Sequence, residues 1–492
     1  MQAVGSTAIV LAVVAFMLVR RTRTGFLTLF ALLPMGMMAA FNLPAVGGTS
    51  IIAVDLAVLT LLAISLVQRG AVRDLLLILG PRSPGLWLLA YLVYAAVATL
   101  FFPRIFAGET EVFTISRLSN VDRIVSVPLA PVTGNLSQML RLMLALGAFV
   151  ATALVMLRLR DTALVRRAMA IVTLVHAAMG GLDILTHAAG VAWLLDWART
   201  ANYVLTLGQS INGIGRMIGG FPEASSYGYL CVGLLGYWLQ TSIGQPSVGG
   251  RRDRLAGWML LLTAILTVRS TSSSAYVGAA ILLVVFGLNW LLTAARGGQG
   301  IDRRVAGVAG VALALLPSAA MAVYVLYQFV PGFETYLDRT LFDKLASASG
   351  TERMNWNRQA LQTVWDTNLL GAGLGSVRAS NWVVAVLGCT GLPGLLLLVG
   401  FLWRLFTSPG PDADTGTQRL ILALRMGLVG FLARAVVVKA TPNLDASFFA
   451  MAGIVAGLTV AQVAATSRTG PSVRPASPGH RLGTLLRDRP PG

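Results

Sequence analysis

Charge is scarce in this chain. Only 12% of its 492 residues are Asp, Glu, Lys or Arg, while 56% are hydrophobic. Soluble domains carry about 25% charged residues, so a water-soluble globule is excluded. Cysteine is nearly absent. The two present, Cys231 and Cys389, fall inside apolar runs, which removes a disulfide framework or a cysteine metal site and leaves two small buried hydrophobes. Histidine is almost as rare, with three residues. Acid is outnumbered: 20 Asp and Glu stand against 38 Lys and Arg, for a net charge of +18. That excess does not indicate nucleic acid. The arginines gather in short connectors between apolar runs, and no zinc, helicase or RNA-binding motif accompanies them.

What is abundant is continuous apolar sequence. The runs do not alternate, which argues against a β-barrel, and many approach the roughly 20 residues that cross a bilayer as a helix. They lie near 4–19, 25–41, 51–67, 86–102, 137–157, 163–188, 222–243, 256–273, 275–295, 305–329, 381–403, 419–440 and 446–464. The expected fold is all-α: a polytopic transmembrane helix bundle of about 12–14 spans over residues 1–464. Arginines follow the first, third, fifth, seventh and ninth runs (Arg20, Arg73, Arg158, Arg251 and Arg303 among them). Positive-inside bias makes these connectors cytoplasmic, with the N-terminus outside and the C-terminus inside. No cleavable signal peptide is expected, since arginines follow the first apolar run and none precedes it. Residues 465–492, rich in Pro, Gly, Ser and Arg, read as a disordered basic cytoplasmic tail near the anionic inner leaflet.

Three outside segments are long, near 103–136, 189–221 and 330–380. Connections of this length carry function or are disordered. The first mixes aromatics, acids and amides, a surface that suits sugars or plain loop packing. The last contains a helix from about Thr351 to Asp366, with Thr351 as its expected N-cap. Met354, Ala360, Leu361, Val364 and Trp365 form its apolar side, and Asn355, Gln359, Gln362 and Asp366 its water side. Arg353 and Asn357 fall within the apolar side, so Arg353 is expected to face the protein and to need a partner.

Outward arginines stand against the positive-inside bias, and each needs a reason. Arg216, Arg269, Arg353, Arg358 and Arg378 are the candidates. Guanidinium forks bind phosphate oxygens bidentately, whereas local carboxylates or lipid headgroups would explain each one singly. Arg216 and Glu223 sit seven residues apart at the mouth of the seventh run, where charge is costly unless paired or used. Glu223 reads as a general base, or as an N-terminal helix carboxylate complementing the macrodipole after Pro222. The stretch Gly371–Ser376 offers either an anion nest or a turn, but not a nucleotide motif, since no strand precedes it. His176, Gly180, Asp183 and His187 share one face of the sixth run. They suggest an interhelical hydrogen-bonded stripe ahead of a proton relay. Arg269 to Ser274 is a polar break, a tight turn or part of a cavity.

Together these pieces resemble the O-antigen ligase and Wzy-type polysaccharide polymerase superfamily. The resemblance rests on Arg216 followed by Pro222-Glu223-Ala224-Ser225, on a late outside loop opening with Arg353-x-x-Trp356, and on its close in Gly371-x-Gly-x-Gly375 and Ser380-Asn381. Residues 103–138 also resemble exopolysaccharide polymerase-like members. The resemblance implies a bacterial inner-membrane enzyme like the metal-independent, inverting C-type glycosyltransferases. Its donor would be a polyprenyl-diphosphate-linked oligosaccharide, its acceptor a glycan, with the lipid bilayer and other polysaccharide-assembly proteins as partners. Neither cofactor nor metal is expected. Arg216 and Arg353 would bind the diphosphate. Arg269, Arg358, Arg378, Asn357 and Asn381 complete the expected substrate-binding set. Ligases carry a histidine just before the asparagine; here Ser380 stands there. That departure favours a polymerase over a ligase and leaves Glu223 as the expected base. A lipid-linked sugar flippase and a non-catalytic assembly scaffold are the alternatives from other classes.

Overall fold

The computed structural model describes residues 1–46, 48–116, 123–203, 210–211, 214–244, 253–296, 348–408 and 415–466, with isolated positions between 321 and 338. The expected span at 305–329 lies almost wholly outside the described residues, as does most of the expected tail.

The chain is mostly helical. The longer elements are α1 (Thr7–Leu32), α2 (Ala53–Leu66), α3 (Ala71–Ile78), α4 (Gly85–Ile105), α5 (Thr133–Leu159), α6 (Thr162–Ala188), α7 (Ala224–Ser242), α8 (Arg254–Arg269), α9 (Ser273–Arg296), α10 (Ala348–Asp366), α11 (Trp382–Thr407), α12 (Thr415–Val437) and α13 (Asp445–Thr466). Among the described residues six helices are long and apolar enough to cross a membrane: α4, α5, α6, α9, α11 and α12. The pair α2 and α3, bent by 119° at its break, passes the same test as one broken span. This is a polytopic helical bundle. The first two runs share one helix, α1, interrupted by non-helical backbone at Arg21. The second run leaves the helix at Leu32 and ends in strand β2.

The connecting segments are not all helical. Strands β1 (Gln2–Ala3), β2 (Ala39–Leu43) and β3 (Thr49–Ile52) form an antiparallel sheet in sequence order. Two hairpins join them, β4–β5 (Glu111–Ser116 with Arg123–Pro128) and β6–β7 (Ser210–Ile211 with Ile214–Gly215).

A tight seam lies between α7 and α12. A Cβ on Gly236 would lie 2.4 Å from the Met426 carbonyl oxygen, and one on Gly430 would lie 2.3 Å from that of Val232. Small residues let the two backbones approach, as is usual where apolar solvent supplies no hydrophobic drive between helices. This seam sets the start of α7 beside the end of α12, where the candidate site forms.

Helix α11 is broken. Gly391 has φ 61° and ψ −165°, and Pro393 follows. Proline has no N–H to give and Leu392 N–H turns aside to the Leu369 carbonyl (2.8 Å), so the Gly388 and Cys389 carbonyls lose their helical partners. The segment after α10 supplies new ones: Ala372 N–H donates to Gly388 O (2.9 Å) and Gly373 N–H to Cys389 O (2.8 Å). Non-helical backbone at this depth is thus satisfied by protein, as apolar surroundings require. Gly375 has φ +79°, and a Cβ there would lie 2.4 Å from the Gly134 carbonyl oxygen. Gly375→Ala is therefore expected to destabilise the protein by about 1–2 kcal/mol through its left-handed backbone and about 1–3 kcal/mol more through crowding. Gly181, with nothing within 4 Å of its Cβ position, is the control. Thermal unfolding of the two purified alanine variants checks this, with Gly181→Ala expected near wild type.

At one end of the bundle, ion pairs join the arginine-bearing connectors: Arg23 with Asp161 (3.3 Å), Arg158 with Asp74 (2.7 Å) and Arg166 with Asp253 (2.5 Å). Four of the five arginine-rich connectors thus meet, although exposed pairs contribute only about 0–1 kcal/mol each.

Candidate functional site

The segment between α6 and α7 is held from three sides before it reaches Glu223. Asp183, buried on α6, accepts from Ile218 N–H (2.8 Å) and Gly219 N–H (3.1 Å). Its other oxygen takes the Arg199 guanidinium, and Arg199 also donates to the Gly219 carbonyl through Nε (3.1 Å) and an Nη (2.7 Å). Met37 N–H donates to Gly220 O (2.9 Å). Arg269, half-buried at the end of α8, donates to Gly215 O (2.9 Å). So the Asp183 end of the stripe clamps the loop, while its His176 end is interhelical as expected, with Nε2 3.2 Å from Cys231 Sγ and the carbonyl accepting from Tyr227 OH (3.1 Å) on α7; Arg269 is a brace beside Arg216. His176 is fully buried, stacked on Tyr227 with ring centroids 3.9 Å apart. His187 is tied to Asp183 (3.4 Å).

The clamp presents Arg216, half-buried, and Glu223, exposed at the N-terminal boundary of α7. Glu223 makes no side-chain bond to the helix N–H groups. Its carboxylate instead accepts from the Ser225 hydroxyl and, at 3.5 Å, from that of Ser226. Glu223 thus stands at the N-cap position expected of a carboxylate facing the helix macrodipole, without a capping hydrogen bond, and its side chain is exposed.

Glu223 attracts three guanidinium groups, those of Arg216, Arg378 and Arg434. Burial pushes the Arg216 guanidinium below the ordinary arginine range. Attraction to Glu223 opposes this and repulsion from Arg353 adds to it. Arg378 is lowered in the same way by burial, with Glu352 opposing and Arg353 adding. Its guanidinium lies over the buried Trp356 ring at 4.3 Å, a contact suited to its planar cation. Its Nε is buried and finds no hydrogen-bond partner among the described residues.

Helix α10 departs from its expected orientation. It begins at Ala348, so Thr351 lies inside the first turn instead of capping it. Its buried side runs Trp356, Ala360, Thr363, Val364 and Thr367, while Met354, Leu361 and Trp365 are exposed. Asn355 and Gln362 face water as expected, but the other two residues of that side meet the β4 hairpin and the residue before it: Gln359 donates to Glu111 O (2.7 Å), and Thr110 donates to Asp366 (2.7 Å). Unpaired groups on the hairpin draw the polar side chains inward. Arg353 is exposed, not buried. It stands one turn beyond the packed stretch, on the side from which it repels Arg216, Arg378 and Arg434. Arg358 is also exposed and joins none of these interactions among the described residues.

Asn357 and Asn381 serve the backbone. Asn357 Oδ1 accepts from Ser380 N–H (2.7 Å) and Asn381 N–H (3.2 Å). Asn381 caps α11 by accepting from Val383 N–H (2.9 Å), and donates to Val436 O (2.7 Å). Both orient the chain around Arg378. The Gly371–Gly375 stretch is no anion nest, because Gly371 N–H donates to Thr367 Oγ1, Leu374 N–H to Thr99 Oγ1, and the two amides between them to α11. Ser270 to Ser274 forms a tight turn with buried hydroxyls; Ser270 donates to Thr267 O (2.7 Å).

The residue that the sequence reading passed over is Arg434. It sits near the end of α12, 4% exposed, donating to Ser225 O (2.8 Å) and to Val438 O, with its cation 5.6 Å from the Tyr229 ring centroid. Its Nε is buried with no partner among the described residues. The signal was available, since a charge inside an apolar run is by default a functional residue. Arg434 and Glu223 both line a cavity of about 360 Å³ that also reaches Lys439, Asp445, Arg141, Asp55 and Tyr203.

The chain is matched by no protein-family model and by no curated protein. What the structure defines is a class: a polytopic helical bundle with Glu223 and the buried Arg434 on one polar cavity, and Arg216 and Arg378 attracted to Glu223.

Proposed function

We propose that the protein is a bacterial inner-membrane polysaccharide polymerase, transferring a polyprenyl-diphosphate-linked glycan onto an acceptor glycan hydroxyl. The observation that carries this reading is that the buried Arg434 and Glu223 line one polar cavity, with Glu223 also attracting Arg216 and Arg378. Several guanidinium groups with one carboxylate between them suit a diphosphate whose charge grows as it leaves, which is where fixed cations lower a barrier most. The bond formed joins acceptor oxygen to the anomeric carbon. The bond broken joins that carbon to the diphosphate, which keeps the electron pair. Glu223 takes the hydroxyl proton. The guanidinium groups supply the countercharge, so the reading calls for no metal or cofactor.

The finer architecture belongs to the same proposal: about 12–14 spans in a C-type glycosyltransferase-like arrangement, with the site on the outer face, the N-terminus outside and the C-terminus cytoplasmic. The ion-paired connectors support that sidedness, because they bear the arginines that positive-inside bias retains in the cytoplasm. A ligase-type transferase would use the same cluster, but Ser380 stands where the ligase histidine would be.

Arg216→Ala and Arg378→Ala are each expected to lower transfer from a lipid-linked donor by about 10²–10³-fold, the range for losing one fixed donor to developing charge. Arg358→Ala is expected to remain within about twofold, as for an isolated surface charge. Reconstituted protein with purified lipid-linked repeat units gives the measurement through initial rates and chain-length distributions. Unchanged rates in both of the first two variants would remove the diphosphate assignment.

The broken α11 and the bent α2–α3 pair lend a second reading, a lipid-linked sugar transporter, its one structural argument. Against it, the carbonyls freed by the break in α11 already accept from Ala372 and Gly373.

A further inference from the structure

The cavity extends past the arginines into a region of different chemistry. The part of its lining formed by Asp55 at the start of α2, Arg141 on α5, Tyr203, Asn443 just before α13 and Asp445 at its first residue is its inner end. This end is built rather than accidental. The Arg141 cation lies 5.0 Å from the Tyr203 ring centroid, and Asn443 donates to the Arg141 carbonyl (3.2 Å). Asp445 N–H donates to Asn443 Oδ1 (2.9 Å). Asp55 Oδ2 accepts from Ile52 N–H (3.0 Å), and among the described residues its Oδ1 has no hydrogen-bond donor. The cations here have carboxylates near them: Lys439 is paired with Asp445, and Arg141 attracts Asp55. The outer end differs, since Arg434, although 4% exposed, keeps an Nε with no partner among the described residues.

An end with balanced charge, an aromatic ring and carboxylate and amide groups does not select phosphate. It selects a ligand that presents hydroxyls around an apolar ring face. Size narrows the ligand further. Small-molecule pockets span roughly 300–1,000 Å³, so about 360 Å³ holds one or two rings, not a chain.

We propose that the inner end of this cavity is a saccharide subsite. It takes one pyranose ring against Tyr203, with Asp55 and Asn443 receiving hydroxyl hydrogen bonds. It deepens the transferase reading and rests on it for one point only: in that reaction the subsite holds the terminal sugar of the acceptor while the arginines hold the diphosphate of the donor.

The test uses the full chain in detergent and isothermal titration with four separate probes: glucose, galactose, glucuronate and inorganic diphosphate. At least one of the three sugars is expected to bind saturably at millimolar concentration. Tyr203→Ala and Asp55→Asn are expected to weaken that sugar at least tenfold and to leave diphosphate binding within twofold. Arg378→Ala is expected to do the reverse. Tyr203→Phe keeps the ring and is expected to retain sugar binding, which guards against a variant that merely unfolds. No saturable binding by any of the three sugars, or sugar binding that survives both Tyr203→Ala and Asp55→Asn, overturns the subsite. Sugar binding lost in these variants by a protein that performs no transfer upholds the subsite and removes only the transferase reading.

Discussion

Replacing Arg434 with alanine is expected to lower glycan transfer by about 10²–10³-fold, the cost of deleting a fixed donor to developing negative charge. Arg434 is almost wholly buried at the end of an apolar helix, where an uncompensated cation is expensive. Its hydrogen bonds go to two main-chain carbonyls, Ser225 O on α7 and Val438 O beyond α12, and neither neutralises its charge. Glu223 and Asp445 attract it across the cavity, while Arg353 repels it. A site that retains such a charge with so little compensation is suited to an anion that arrives from outside. Because Ser225 lies two residues after Glu223, the same side chain also fixes the first turn of α7. Arg434→Lys keeps the charge but cannot form the two-pronged contact, so its rate is expected between those of alanine and wild type. Initial rates for the three proteins decide the matter. A wild-type rate in Arg434→Ala would show that the cavity's cation has no part in the reaction.

The second large effect is on stability. Asp183→Ala is expected to cost about 3–5 kcal/mol, the range for leaving one member of a buried ion pair alone. Arg199 would lose its carboxylate, and the N–H groups of Ile218 and Gly219 their acceptor. Removing both charges often restores stability at a buried pair. Here it is not expected to do so, because Asp183→Leu combined with Arg199→Met still strands two backbone N–H groups and the Gly219 carbonyl. Thermal unfolding of the single and double variants separates the cases. Recovery in the double variant would mean that Asp183 serves Arg199 alone and does not hold the loop. Glu223→Gln leaves the clamp intact and removes only a proton acceptor. It is therefore expected to unfold like wild type, with transfer reduced by about 10²–10⁴-fold if Glu223 is the general base.

The site was partly legible because two of its charges announce themselves. Arg216 and Glu223 flank the start of an apolar run, and charge beside such a run is visible to any hydropathy reading. Arg434 was hidden by the same procedure, since averaging over 419–440 dissolves one arginine among many apolar residues. Helix α10 shows a different limit. Its periodicity was clear, but which side faces inward depended on Thr110 and Glu111, some 250 residues earlier, whose bonding needs no local pattern could display. The glycines from Gly371 to Gly375 read as either a nest or a turn, because their amides could not be known to meet carbonyls released by Gly391 and Pro393. Apolar composition marks what avoids water, but not how a run is built: the first two runs share α1 across non-helical backbone at Arg21, and the second ends in β2.

The central claim is that this bundle makes a glycosidic bond at its arginine cluster. Purified protein in proteoliposomes, supplied with an anomerically defined lipid-linked repeat unit, tests it most directly by following both products. The account requires lengthened glycan with inverted anomeric configuration, released polyprenyl diphosphate in equal amount, and loss of both in Arg434→Ala. Lipid-linked substrate that crosses the bilayer intact, with no lengthened glycan and no released diphosphate, would contradict it.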